Sequence, residues 1–330
     1  GTSWEATAVD ISALSGKVTE AVDVVAQLIR DSVFPEDEVE RLRHEQLAGI
    51  MQRRADPRSF ANEMANRYIF APESAFARPV SGTTGTVSGL ARADVIGFHR
   101  AAFTPVGAGI VVAGNVDPNE ILEVAEKALG GWRGDPPPTR PVVVKPRAET
   151  MQIVVVDRPG SVQSEIRVGH IGVPRNTPDY FPILVMNTIL GGAFSSRLNL
   201  NLRERHGFTY GAHSTFSMRR HAGPFVVSTA VQTEVTGPAV REILNELRAI
   251  REDRVRPDEL TDARNYAAGT FPLRLQTTDG VASRLAELFV YDLPTSFLEE
   301  FADRVLAVSD EEVLDVARRT IHPERATILV

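Results

Sequence analysis

The chain has no cysteine. That excludes disulfide staples, thiolate-held zinc and thiol catalysis, and it suits a cytoplasmic or a periplasmic protein equally well. No apolar run reaches the length of about 18 residues that a membrane-spanning helix needs. No signal-peptide pattern opens the chain, which starts "GTSWEATAVD" without a methionine. Lysine is almost missing: Lys17, Lys127 and Lys145 stand against a large excess of arginine, as codon bias in a GC-rich genome produces. The net charge of −7 provides no basic field for nucleic acid or an anionic membrane surface. The short signatures of catalysis are missing too. His44, His99, His170, His206, His213, His221 and His322 include no pair four apart, so neither H-E-x-x-H nor H-x-x-E-H occurs. G-x-S-x-G is absent, and the glycine-rich "SGTTGTVSG" (81–89) lacks the lysine of a phosphate loop. That stretch is expected to be a surface loop capping a helix near Ala91.

What is present is 330 residues, 43% of them apolar, enough for two ordinary globular domains. A faint duplication runs through them. "EAVDVVAQLIRDSVFPEDEVERLR" (20–43) parallels "PAVREILNELRAIREDRVRPDELTDAR" (238–264), and "ARADVIGFHRAAFTPVGAGIVV" (91–112) parallels "AVSDEEVLDVARRTIHPERATILV" (307–330). In both copies a proline, Pro35 or Pro257, marks the first turn of a new helix, with acids behind it to complement the helix dipole. The offset stays near 220 residues, so the pattern reads as a tandem repeat of a whole domain. The expected fold class is therefore α+β: a tandem duplication of a mainly antiparallel sheet covered by helices on one face. The second copy carries some 75 residues with no counterpart in the first, so the first copy is expected to lack its N-terminal part. The expected boundaries are a truncated domain over 1–137, a proline-rich linker over 138–149 and a second domain over 150–330. The linker follows from the prolines at 136, 137, 138, 141 and 146, which hold the chain extended.

In the second copy, "MQIVVVDR", "SEIRVGHIGV", "YGAHSTFSM" and "GPFVVSTAVQT" read as strands, and "DYFPILVMNTILGG" as a helix ended by Gly191 and Gly192. Ser195 and Ser196 suit the N-cap of a short helix through Arg203. Helices are expected over 238–254, 257–270, 280–290 and 309–320. Between the short helix and the next strand lies "LNLRERHGFTYGAHS", with Arg203 and Tyr210 seven residues apart. A guanidinium and a phenol can both donate to one carbonyl oxygen or oxyanion, though neither can attack it. The spacing fits equally well an exposed arginine and a half-buried strand tyrosine.

"LGGAFSSRLNLNLRERHGFTYGAHSTF" (190–216) resembles the signature of the C-terminal domain in the pitrilysin, insulinase and mitochondrial processing peptidase family of zinc peptidases. The resemblance extends over "SVFPEDEVERLRHEQLAGIMQRRADP" and "RPVSGTTGTVSGLARADVIGFHRAAFTP" to the end of the chain. It implies two homologous α+β domains. It implies that catalytic relatives carry H-x-x-E-H upstream, two histidines holding zinc and the glutamate acting as general base, with a third ligand glutamate on a later helix. That later helix reads "LRHEQLAGIMQRRADP" here, and Leu42 and Gly49 occupy the two glutamate positions. No metal ligand is expected in this chain; Glu45 lies on another face. Arg203 and Tyr210 match the family's Arg-Tyr pair, which contacts substrate backbone near the scissile bond. The loop Gly191-Gly192-Ala193-Phe194-Ser195 matches the place of a longer glycine-rich recognition loop in the non-catalytic mitochondrial subunit.

The pattern of a kept Arg-Tyr pair without zinc ligands resembles the non-catalytic subunit of two-subunit bacterial members. The implied function is a substrate-binding, non-catalytic subunit of a heterodimeric metallopeptidase, inactive alone, acting in proteolysis. Its partners are then a zinc-bearing homologous subunit and a peptide or unfolded polypeptide. Two alternatives are an N-terminally truncated fragment of a self-sufficient zinc metalloendopeptidase and a non-enzymatic scaffold of the same fold.

Overall fold

The computed structural model describes residues 1–330. In chain order the first helices are α1 (Val18–Arg30), α2 (Glu36–Ala55), α3 (Pro57–Ile69), α4 (Thr84–Ser88), α5 (Arg92–Ala102) and α6 (Pro118–Leu129). Strands β1 (Gln152–Val154) and β2 (Gln163–Ile171) follow, then α7 (Tyr180–Asn187), α8 (Arg197–Asn199), β3 (Ala212–Phe216) and β4 (Pro224–Gln232). The chain closes with α9 (Thr236–Glu252), α10 (Pro257–Thr270), α11 (Thr278–Val290), α12 (Ser296–Glu299), α13 (Phe301–Ala307), α14 (Asp310–Thr320) and β5 (Thr327–Leu329). These fall into two compact units, each woven from separate stretches. One holds 1–52, 80–141 and 274–290; the other holds 53–79, 142–273 and 291–330.

The second unit is built on a five-stranded sheet in the order β1-β5-β2-β4-β3. β1 runs parallel to β5, and the remaining neighbours pair antiparallel. The register follows from burial. Ile166 and Val168 of β2 are fully buried on one face, opposite Thr229 and Val227 of β4. A one-residue slip would turn these side chains to the other face. β3 and β4 are one to two residues shorter per end than their β-prone runs, β2 starts one residue earlier and ends two residues sooner than its run, and β1 covers only the start of "MQIVVVDR".

One expectation fails here. The sheet is covered on both faces. Successive strand residues point to opposite sides, and the odd positions of β2 meet α3, a helix that precedes the linker in sequence. Arg167, 2% exposed, donates from Nε to Asn62 Oδ1 (2.7 Å) and from Nη2 to the Arg58 carbonyl (3.3 Å). An ion pair to Glu165 (2.9 Å) neutralises its charge. At Gly169 a Cβ would lie 2.5 Å from the Phe225 carbonyl oxygen and 2.9 Å from Ile69 Cδ1, so only glycine lets α3 approach. The even positions face the opposite layer, where Thr236 Oγ1 at the start of α9 donates to Ser164 (2.8 Å). Beyond the end of α14, the His322 backbone N–H donates to His170 Nε2 (3.0 Å). The sequence placed α3 in the first domain because it lies before the prolines. Its buried residues Ala61, Met64, Ala65 and Ile69 are the reason it packs where it does. The linker prolines end in a tether to the same helix: the Ala71 N–H donates to the Lys145 carbonyl (2.9 Å), and the Arg147 N–H to that of Ile69 (3.0 Å).

The first unit is helical. α1 is amphipathic and buries Ala26, while α2 is acidic in its first turn and buries Ile50. The segment Ala108–Val112, which parallels Ala326–Val330, forms no ladder, so a repeated sheet is not seen in this unit. In the second unit the equivalent residues lie between β1 and β2. Nothing in the first unit offers two such neighbours, and a lone strand keeps its backbone groups for water. The stretch "SGTTGTVSG" is also not a plain loop. Thr83 and Thr86 cap one another reciprocally (Thr86 N–H to Thr83 Oγ1, 3.2 Å; Thr83 N–H to Thr86 Oγ1, 2.8 Å) and open α4.

Candidate functional site

The segment carrying Arg203 and Tyr210 begins where α7 ends. α7 loosens into a π-helical turn, Thr188–Gly192, and Ala193 turns the chain extended. Gly191 is buried there because β3 passes directly beneath it. A Cβ on Gly191 would sit 2.4 Å from Ser214 Oγ and 2.5 Å from Ser214 N. Gly192 is exposed, with Asn187 closing its other side. Ser196 takes the extended N-cap conformation ahead of α8, as its residue type suggests, but its hydroxyl makes no capping bond. α8 runs on into a second π-helical turn, Leu200–Arg205. The termination is sharp. The Gly207 N–H donates to the Arg203 carbonyl (3.0 Å) and the Phe208 N–H to that of Leu202 (2.8 Å). Gly207 adopts φ +64°, the left-handed conformation glycine accepts most readily.

Two asparagines, Asn199 buried and Asn187 half-buried, hold this frame. Asn199 Nδ2 donates to the Phe194 carbonyl (2.7 Å), and the Ala212 N–H donates to Asn199 Oδ1 (3.2 Å). One amide thus joins the loop after Gly192 to the start of β3. Asn187, at the end of α7, is tied to β3 in turn: Nδ2 donates to the Ser214 carbonyl (3.1 Å), and Ser214 Oγ donates to Asn187 Oδ1 (2.7 Å). Thr229 Oγ1 adds a bond to the Gly211 carbonyl (3.0 Å). Neither asparagine nor Phe194 was singled out from sequence. An asparagine inside a helix is usually a solvated residue, and only the folded backbone reveals two orphan groups within reach of each.

On this frame Tyr210 projects almost free, 92% exposed. Arg203 is half-buried. Its guanidinium lies 4.5 Å from the ring centroid of Phe194, and its Nε is 3.4 Å from Glu204. Phe194 is itself 70% exposed. The structure therefore places Arg203, Tyr210 and the two glycines on one locally anchored segment. It offers hydrogen-bond donors and an apolar ring; His206 on the same segment lies 3.9 Å from Glu242.

Leu42 and Gly49 lie on α2 of the other unit. Leu42 is exposed and has no donor atom, and Gly49 has no side chain. Glu45 is paired with Arg41 (3.0 Å). No three of the chain's histidines and carboxylates cluster as a metal would require. The residues at the two glutamate positions do not fit a zinc ligand set.

Elsewhere, His170 lies 5% exposed near the C-terminal end of β2, with Nδ1 donating to the Ile171 carbonyl (2.8 Å) and Nε2 accepting from His322 N–H. Burial pushes its pKa down to about 4. Both ring nitrogens are used internally, so this histidine reads as a structural link between β2 and the end of α14.

A family profile described as "Peptidase M16 inactive domain" matches residues 89–266. An uncharacterized zinc protease of Streptomyces coelicolor is 26% identical over 305 residues, covering 90% of this chain and 66% of its own length. A protein of Helicobacter pylori named as a non-peptidase homolog is 22% identical over 321 residues, covering 95% of this chain and 72% of its own. Among solved structures, a peptidase M16 inactive domain from Pseudomonas fluorescens superposes with a TM-score of 0.82 at 20% identity, covering 95% of this chain and 75% of that one. A protease from Helicobacter pylori superposes with a TM-score of 0.86 at 16% identity, covering 95% of this chain and 76% of that one. At these identities the structural likeness speaks for the fold alone.

Proposed function

The chain belongs to the peptidase M16 inactive-domain family, and from that premise we propose that it is the non-catalytic, substrate-binding subunit of a heterodimeric zinc peptidase. The observation that carries the reading is the pairing of opposites in one sequence. Leu42 and Gly49 supply nothing to a metal, while Arg203 and Tyr210 are held accessible on the amide-anchored segment. In this reading the hydrolytic zinc belongs to a homologous partner subunit. The part played here is to grip a peptide backbone. The Tyr210 hydroxyl and the Arg203 guanidinium donate to a substrate carbonyl oxygen, and those bonds strengthen as that oxygen gains charge. An unfolded polypeptide fits best, because only an extended chain exposes its carbonyls to such donors.

The test is reconstitution. The purified chain is mixed with a homologous subunit bearing H-x-x-E-H, and cleavage of an unstructured peptide is followed. The mixture is expected to exceed the partner alone, and Arg203→Ala to lower the gain by about 100-fold, the usual cost of one oxyanion donor. Stoichiometric zinc in the chain by itself, or cleavage without the partner, contradicts the proposal.

A further inference from the structure

We propose that Phe194 selects the substrate: its open ring face receives a large apolar or aromatic side chain of the unfolded polypeptide held by Arg203 and Tyr210. This rests on the preceding reading of that segment as substrate-binding, and goes beyond it by naming what in the peptide is recognised.

A singly exposed phenylalanine is common on protein surfaces and alone means little. Three features set this one apart. Its backbone is fixed, because the carbonyl of Phe194 accepts from Asn199 Nδ2 at 2.7 Å and the Ser196 N–H closes a turn onto the Ala193 carbonyl at 3.1 Å. Its ring is backed by a cation, the Arg203 guanidinium at 4.5 Å from the centroid. A guanidinium against one face holds the plane of the ring and leaves the other face to solvent. Third, its neighbour in space is chosen. The same Asn199 amide that holds Phe194 also holds the Ala212 N–H, two residues beyond Tyr210. The backbone that bears the ring and the start of β3 just after Tyr210 therefore share one anchor.

The chemistry follows. A flat, pre-ordered aromatic surface of this exposure gains by stacking on another aromatic ring or covering a branched aliphatic chain, and gains nothing from serine or glycine. The ring already rests against Arg203 in the free chain, so less of that gain is lost on binding.

The experiment needs no partner subunit. Two fluorescein-labelled Gly-Ser peptides, identical except for Phe or Ser at one interior position, are titrated with the full chain and followed by anisotropy. The Phe peptide is expected to bind about tenfold more tightly, the scale of one aromatic contact. Phe194→Ser removes the difference, and Phe194→Trp retains it. Equal binding of the two peptides by the unsubstituted chain, failure of the Phe peptide to bind, or a preference that survives Phe194→Ser would each overturn the inference. Since the readout is selectivity of the isolated chain, its failure leaves the reconstitution result standing, and the reverse is also true.

Discussion

At the scale of single residues, the burden falls on side chains that never reach the surface. Asn199 is 3% exposed and satisfies a carbonyl and an N–H at once. Asn199→Ala leaves both backbone groups without partners in a site water cannot enter freely, at a cost of roughly 2–3 kcal/mol. Urea unfolding is expected to show a lower midpoint with the slope unchanged, whereas Tyr210→Phe, at a 92% exposed position, shifts stability by less than about 0.5 kcal/mol. His170 makes a second prediction. Its folded pKa of about 4 lies below the ordinary 6.5, so the folded chain keeps the ring neutral where the unfolded chain would protonate it. The unfolded state then binds more protons between these values, and stability is present above pH 6.5 and lost as pH falls toward 4. Phe225, His322, Glu324 and Arg251 surround or approach the ring, and the burial outweighs them all. His213 is shifted in the same direction, burial again the leading cause, and adds to the slope. Thermal melts across this window should drop in Tm on acidification, and His170→Gln should flatten the decline while lowering Tm at neutral pH.

At the scale of elements, the glycine at the end of α7 is the sharpest test of the packing. Gly191→Ala forces a methyl group into β3, where Ser214 N would lie 2.5 Å away. The expected loss is about 2 kcal/mol or more, since backbone on both sides has to move. If Gly191→Ala melts like the parent chain, the close approach of turn and strand is wrong. The same region shows how far local sequence carries. Helices opened by proline or by acids were legible almost to the residue: α10 begins at Pro257, and α9, α11 and α14 lie within two residues of their expected bounds. Their signals are local, namely caps, dipole-matching charges and an apolar stripe. The π-helical turns at 188–192 and 200–205 were not legible, because they arise from fitting α7 and α8 over β3, a contact between residues far apart in sequence. The short β1 has a similar cause. Its β-prone run is longer than the β5 partner available to it.

At the scale of the whole molecule, the sequence reading and the structure part where chain order and packing order differ. α3 precedes the linker and yet packs on the sheet of the second unit, tied by Arg167 and by the Lys145–Arg147 strap. Composition places a boundary at the prolines, whereas buried surface decides membership. The candidate site could be named from sequence at Arg203, Tyr210, Gly191 and Gly192, through a long family signature. It was not legible for Phe194 and Asn199, whose importance lies in which atoms they meet. The account reduces to a division of labour in which this chain supplies donors and a partner supplies the metal. The most direct measurement is kcat for peptide cleavage by the reconstituted pair carrying Tyr210→Phe, read beside the zinc content of the partner and the melting temperature of this chain. The account predicts a fall of about 100-fold in kcat with the other two unchanged. An undiminished kcat would contradict it.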